Sequence, residues 1–191
     1  MNTPAHAMIS LALLGTAKQY QTSPRFTTSL IIGAILPDVI IIIFYAWHLL
    51  IGTPEPLIWS IAYYDPVWQA AIDIFNSIPL LLILLLVGWY FKQPLIIVLI
   101  ASMLLHTIGD FPLHHDDGHR HFFPFSDWRF ISPVSYWDPA HHGKITGIIE
   151  FLSVWAIGLF IIFKFPPLRI WSSGILLISC LYSGYIFMVW V

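Results

Sequence analysis

The sequence predicts an all-α, polytopic integral membrane helical bundle, with about five transmembrane helices and a short N-terminal half-helix. Three observations predict it. Hydrophobic residues make up 58% of the chain and charged residues only 9%, against roughly 25% charged in a soluble domain. Apolar stretches close to the roughly 20 residues that cross a bilayer recur along the chain. The charges between those stretches are unevenly shared between the two sides they would define.

Taken in order, residues 4–17 are apolar but, at about 14 residues, too short to cross alone. Thr3 is a fitting N-cap and Pro4 a fitting first helical residue, so a half-helix packed among the others is expected. Spans are expected over 27–50, 74–91, 94–111 and 168–190, and a fifth over 146–164, which carries Glu150. Repeats, low-complexity tracts and linkers are lacking, so residues 1–191 read as one domain with a His- and aromatic-rich loop at 112–145. The first residues lack the basic segment of a signal peptide. The single cysteine, Cys180, excludes an internal disulfide and a thiolate metal site. A net charge of −2 carries no nucleic-acid footprint.

Orientation follows from the loops. Segments 18–26, 92–93 and 164–169 hold Lys18, Arg25, Lys92, Lys164 and Arg169 without an acid. Segments 51–73 and 112–145 hold Arg120, Arg129, Lys144 and most of the acids. The positive-inside rule puts the first set in the cytoplasm. The expected location is the bacterial inner membrane, with the His-rich loop on its outer side.

Ionisable groups inside spans are costly and mark function by default. His6 lies 12 residues before Lys18, Asp38 lies 13 after Arg25, His106 lies 14 after Lys92, and Glu150 lies 14 before Lys164. At 1.5 Å per residue, all four stand roughly 18–21 Å from the same membrane face. Separate helices bringing polar groups to one depth predict a single convergent cluster. His106 and Asp110, four residues apart, share a helix face, and Pro112 ends that helix near Phe111. His6, Asp38, His106 and Asp110 are therefore expected to bind metal together. The stretch from His106 to Pro124 holds five of the nine histidines. Of its loop members His114, His115, His119 and His121, two are expected to join the site. Glu150 is either a ligand or the partner of a histidine such as His142. Imidazole with carboxylate suits zinc first, with manganese and iron as the other candidates, and allows one or two ions. His48, near a span end, reads as interfacial.

The segments "TPAHAMISLALLG", "LIIGAILPDV" and "HTIGD" resemble the bacterial membrane-bound metal-dependent hydrolase family, sometimes described as LexA-regulated. That family is similar, at a distance, to the zinc-dependent phospholipase C and single-strand nuclease superfamily. The resemblance implies that His6, Asp38, His106 and Asp110 are metal ligands. In "HTIGDFPLH" the gap from Asp110 to His114 is two residues shorter than in the soluble relatives, so His115 or His119 could stand in for His114. Those relatives continue with a His-x-x-x-Asp/Glu pair. Here His142 is followed at that spacing by Thr146, and Glu150 is the acid that could substitute.

Residues 122–139, "FFPFSDWRFISPVSYWDP", read either as an interfacial anchor or as a lid over an amphiphile cleft. In the second reading Arg120, Arg129 and Lys144 would meet a phosphate. The expected activity is hydrolysis of a phosphoester or ester of a membrane lipid, with Asp110, Asp117 or Glu150 as general base. Two other classes remain open. One is a non-catalytic accessory subunit of a membrane-protein complex, binding a tetrapyrrole through its histidines. The other is a metal transporter, disfavoured by the lack of an inverted repeat.

Overall fold

In the computed structural model, residues 1–18 and 23–190 are described, the side chains of 185–190 excepted. The loop assigned to 18–26 therefore lies partly outside the described residues.

The described chain is all-α. Its helices are α1 (Thr3–Ser10), α2 (Pro24–Leu50), α3 (Glu55–Ser60), α4 (Pro66–Phe75), α5 (Ile78–Tyr90), α6 (Pro94–Asp110), α7 (Gly143–Lys164) and α8 (Arg169–Trp190). Among the described residues, two helices, α2 and α7, are individually long and apolar enough to cross a membrane. The pair α4 and α5 would make a third if counted as one span, but it bends by 42° at its break. The expected span 74–91 is thus displaced. Ser77 caps α5 by accepting from Leu80 N at 3.3 Å, and Asp65 caps α4 by accepting from Val67 N at 2.9 Å. A side-chain cap at each start makes two short helices rather than one long one. At 17 residues, α6 is about 25 Å long, somewhat less than the roughly 30 Å hydrocarbon core. The half-helix expected over 4–17 is α1 followed by a π-type turn, Leu11–Gly15.

The main core joins α1, α2, α6, α7 and α8 through Met8, Leu30, Ala34, Val98, Val154, Ile161 and Leu176. Its tightest seam is between α2 and α6. A Cβ at Gly33 would sit 2.2 Å from the Leu99 carbonyl oxygen, so glycine there lets the two backbones close. That approach lets α6 side chains reach α2 carbonyls, with Ser102 Oγ donating to Leu30 at 2.8 Å. Outside this core the helices turn large apolar side chains outward, among them Leu50, Trp89, Ile148, Phe163 and Leu181. Contiguous outward apolar surface on this scale marks contact with lipid or protein.

Candidate metal centre

The centre forms where α1, α2 and α6 meet. His106 sits one turn above Ser102 and uses the same seam, its Nδ1 lying 2.7 Å from the Ala34 carbonyl oxygen. A carbonyl only accepts, so Nδ1 carries a proton, and in the neutral ring Nε2 presents a lone pair. Metal-binding histidines are fixed in this way. His106 Nε2 stands 3.1 Å from Asp110 Oδ2 and 3.6 Å from Asp38 Oδ1. On α1, the His6 ring stacks on His106, centroids 3.6 Å apart and 15° from parallel. Asp38 Oδ2 accepts from Thr3 Oγ1 at 2.6 Å, tying α1 to α2 beside the cluster.

His6 Nε2 lies 2.9 Å from Asp110 Oδ1, yet it is buried without a hydrogen-bond partner. At that distance the two atoms form an ion pair when His6 is protonated and are neighbouring ligand atoms when it is neutral. His6, His106 and Asp110 form one group able to hold a metal ion. Asp110, His114 and His119 form a second, so Asp110 belongs to both. All five side chains are buried. The donor set is imidazole and carboxylate with no thiolate, and it fits a borderline divalent cation. The N-terminal nitrogen of Met1 also contacts Asp110.

The loop after α6 supplies the second group. His114 Nε2 is 3.5 Å from Asp110 Oδ1 and its Nδ1 is 3.0 Å from Asp117 Oδ2. Burial alone would lower the His114 pKa, but the Asp110 and Asp117 carboxylates outweigh it and push it up to about 9. Burial would raise Asp117, but the bonds from His114 and from Trp137 Nε1, the latter 2.9 Å, hold it down at about 2. His119 is driven well below the usual imidazole range by burial and the charge on His114. His121, lowered to about 4 mainly by burial, keeps both ring nitrogens unpartnered and packs edge-on to Phe111.

The structure thus brings His6, Asp38, His106, Asp110, His114 and His119 together, with Asp117 behind His114. His6, Asp38 and His106, counted to one depth from the sequence, meet in one cluster. Glu150 is held differently. Its Oε1 accepts from the Asn2 backbone and side chain at 3.0 and 2.5 Å, and it borders a cavity of about 30 Å³ shared with Val154, Ser179 and Tyr182, large enough for a water. The pairing with His142 is absent: His142 is exposed and takes a left-handed backbone, φ 66°, where it opens α7. His115 also stays outside, its Nδ1 2.6 Å from the Ser132 carbonyl.

The basic residues expected at a phosphate need correction. Arg120 donates from Nε to Asp73 Oδ2 at 2.5 Å and from Nη1 to Asp127 Oδ1 at 2.8 Å, so its charge is already matched. Arg129 donates to the Gly118 carbonyl at 2.6 Å and to Gln69 Oε1 at 2.8 Å. Gln69 and Asp73, four apart on α4, therefore clasp both arginines and tether the histidine loop. Lys144 is exposed in the first turn of α7. Sequence reasoning missed Asp73, although a lone acid in "PVWQAAIDIF" with Gln69 one turn earlier was a readable signal. Opening the span at residue 74 left it outside the helix.

No family model, no curated protein and no solved structure matches this chain.

Proposed function

We propose that the protein is a membrane-embedded metal-dependent hydrolase that cleaves a phosphoester or ester of a membrane lipid or similar amphiphile. The observation that carries the reading is the buried pair of His/Asp groups sharing Asp110. Buried ionisable groups among apolar helices are retained for a purpose, and His6 Nε2 and a carboxylate oxygen 2.9 Å apart suit a cation. The resemblance of "TPAHAMISLALLG", "LIIGAILPDV" and "HTIGD" to membrane-bound metal-dependent hydrolases points the same way.

In this reading His6, His106 and Asp110 hold one ion, with Asp38 alongside, and Asp110, His114 and His119 hold another. Zinc is the first candidate, then manganese or iron. A bound divalent ion supplies Lewis acidity and makes water acidic enough to act as a nucleophile near neutral pH. The protein's part is positional. The Ala34 carbonyl fixes the His106 tautomer, Thr3 orients Asp38, and Asp117 orients His114 at the loop edge. Lys144 is the exposed cation left to meet an anionic headgroup. The chain is read as five spans in the bacterial inner membrane, on the strength of its outward apolar surface. The His-rich loop faces outward, on the strength of the acid-free basic loops. Lateral packing against another membrane protein is compatible with the same surface.

The test is metal content after purification without chelators, beside hydrolysis of phosphorylated amphiphiles. Wild type is expected to hold at least one transition-metal equivalent and to lose hydrolysis on chelation. A content well below one equivalent sinks the reading. A Soret band would move the assignment to a tetrapyrrole-binding subunit, and metal uptake into proteoliposomes to a transporter.

A further inference from the structure

Asn2 and Glu150 border one cavity. Each carries a buried oxygen without a hydrogen-bond partner among the described residues, Asn2 Oδ1 and Glu150 Oε2. The other carboxylate oxygen, Glu150 Oε1, is taken by the Asn2 backbone N–H at 3.0 Å and the Asn2 side-chain amide at 2.5 Å. With Nδ2 donating to the carboxylate, Oδ1 is the end of the amide left over. An amide oxygen and an ionised carboxylate oxygen only accept, so the two cannot satisfy each other. Both need a donor from elsewhere, because buried polar atoms are rarely left unmet.

The cavity has room for that donor. Its volume is about 30 Å³, and a water needs roughly 10–15 Å³ with two to four polar partners. Ser179, Tyr182 and Ser183 of α8 also line it, each with a hydroxyl group. Voids walled only by apolar side chains stay dry; this wall carries an amide, a carboxylate and hydroxyls. The cavity also lies between the surface and the centre. On its outer side Tyr182 is 38% exposed. On its inner side the Asn2 carbonyl accepts from His6 N at 3.3 Å, and the next residue, Thr3, holds Asp38. Asn2 thus meets the cavity with its side chain and the helices of the centre with its backbone.

We propose that this cavity binds water between Asn2 and Glu150, and that it is the inlet through which water passes from the α7–α8 edge to the buried centre. One water donates a hydrogen to Asn2 Oδ1 and the other to Glu150 Oε2. Hydrolysis consumes a water at every turnover, and His6, His106 and Asp110 are each no more than 2% exposed, so such a centre has to be supplied from outside. Glu150 is then a positioning residue that acts on water rather than on metal. The inlet role rests on the hydrolase reading; the water site does not.

Gly147 makes the site testable. It lines the cavity, and a Cβ there would meet only the Tyr136 carbonyl oxygen, at 3.8 Å, an ordinary contact. Gly147→Leu therefore plugs the cavity and leaves Asn2 and Glu150 in place. Glu150→Gln empties it differently, because the new amide nitrogen can donate directly to Asn2 Oδ1. The full-length protein in lipid bilayers is followed by water-to-protein polarisation transfer in solid-state NMR, read at the Asn2 amide and Glu150 carboxyl signals. Metal content and hydrolysis of 4-nitrophenyl phosphate are measured on the same samples. Wild type is expected to show transfer to both residues. Each variant is expected to lose transfer at Asn2, and Gly147→Leu to lose kcat with bound metal and helical content unchanged. Absence of transfer in wild type means a dry cavity, with Asn2 and Glu150 paired through a proton, and overturns the site. Transfer that survives in both variants puts the water elsewhere and overturns it as well. Loss of transfer in Gly147→Leu with kcat intact removes the inlet and leaves the water site. A wild type that binds no metal removes the hydrolase reading and the inlet with it, while the water site stands on the NMR result.

Discussion

The two halves of the centre are held by different means. His6, Asp38 and His106 sit on helices whose positions are set by packing, with His106 locked to the Ala34 carbonyl across a glycine-permitted seam. His114 and His119 sit on a stretch between α6 and α7 that has no α-helix. A few polar bonds hold that stretch. They are Tyr63 Oη to the Asp117 carbonyl at 3.2 Å, the backbone pairing with 132–136, and the α4 clasp on Arg120 and Arg129. Packing spreads its support over many side chains, whereas a polar tether can be cut at one residue. The halves should therefore be separable by mutation, with Asp110 as their one common member.

The largest expected effect is at that common member. Asp110→Asn should abolish metal at both halves, weakening binding by more than the roughly 10–100-fold that follows loss of an outer-shell partner. Metal analysis checks this, and one retained tight ion would show that the halves do not share a carboxylate. Asp73→Asn comes next. Asp73 is fully buried, and removing its charge leaves Arg120 mismatched at its inner end, a loss of about 3 kcal/mol or more for a buried pair. The loop half should lose its ion while the helix half keeps its own, read by metal stoichiometry alongside thermal unfolding. Equal loss from both halves would erase the distinction drawn between them. Gly33→Ala should do the converse. Forcing a methyl against the Leu99 carbonyl should cost about 1–3 kcal/mol and weaken the helix half first, measured by the same pair of methods. Asp127→Asn is the smallest. Its bond to Arg120 is solvent-exposed, so stability should fall by no more than about 1 kcal/mol, with metal content unchanged.

Legibility in the sequence followed the same division. The helix half could be read because a helix converts residue number into height. Counting from the basic loops brought His6, Asp38 and His106 to one level before any contact was known. The loop half could be read only as composition. Nothing in "HHDDGHRH" tells which imidazoles turn inward, because an irregular backbone has no period to project. His114 and His119 did so; His115 turned to Ser132 and His141. The arginines misled for a related reason. A cation near a histidine cluster looks free in one dimension, and its partners, Asp73 and Gln69, lie about 50 to 60 residues away on an element whose boundary had been drawn too late.

Hydrophobic content and the spacing of apolar runs determined, without coordinates, that this chain is all-α, since a backbone in apolar surroundings must satisfy its own polar groups and continuous apolar runs near 20 residues do so as helix rather than barrel strand. Residue spacing also determined that His106 and Asp110 share a face. The tertiary structure decided which ring nitrogens present lone pairs, which carboxylate serves both groups, and which cations are already paired. Those are properties of close approach between segments far apart in sequence. They depend on atoms such as the missing Cβ of Gly33 and the carbonyl of Ala34, whose role no local pattern records.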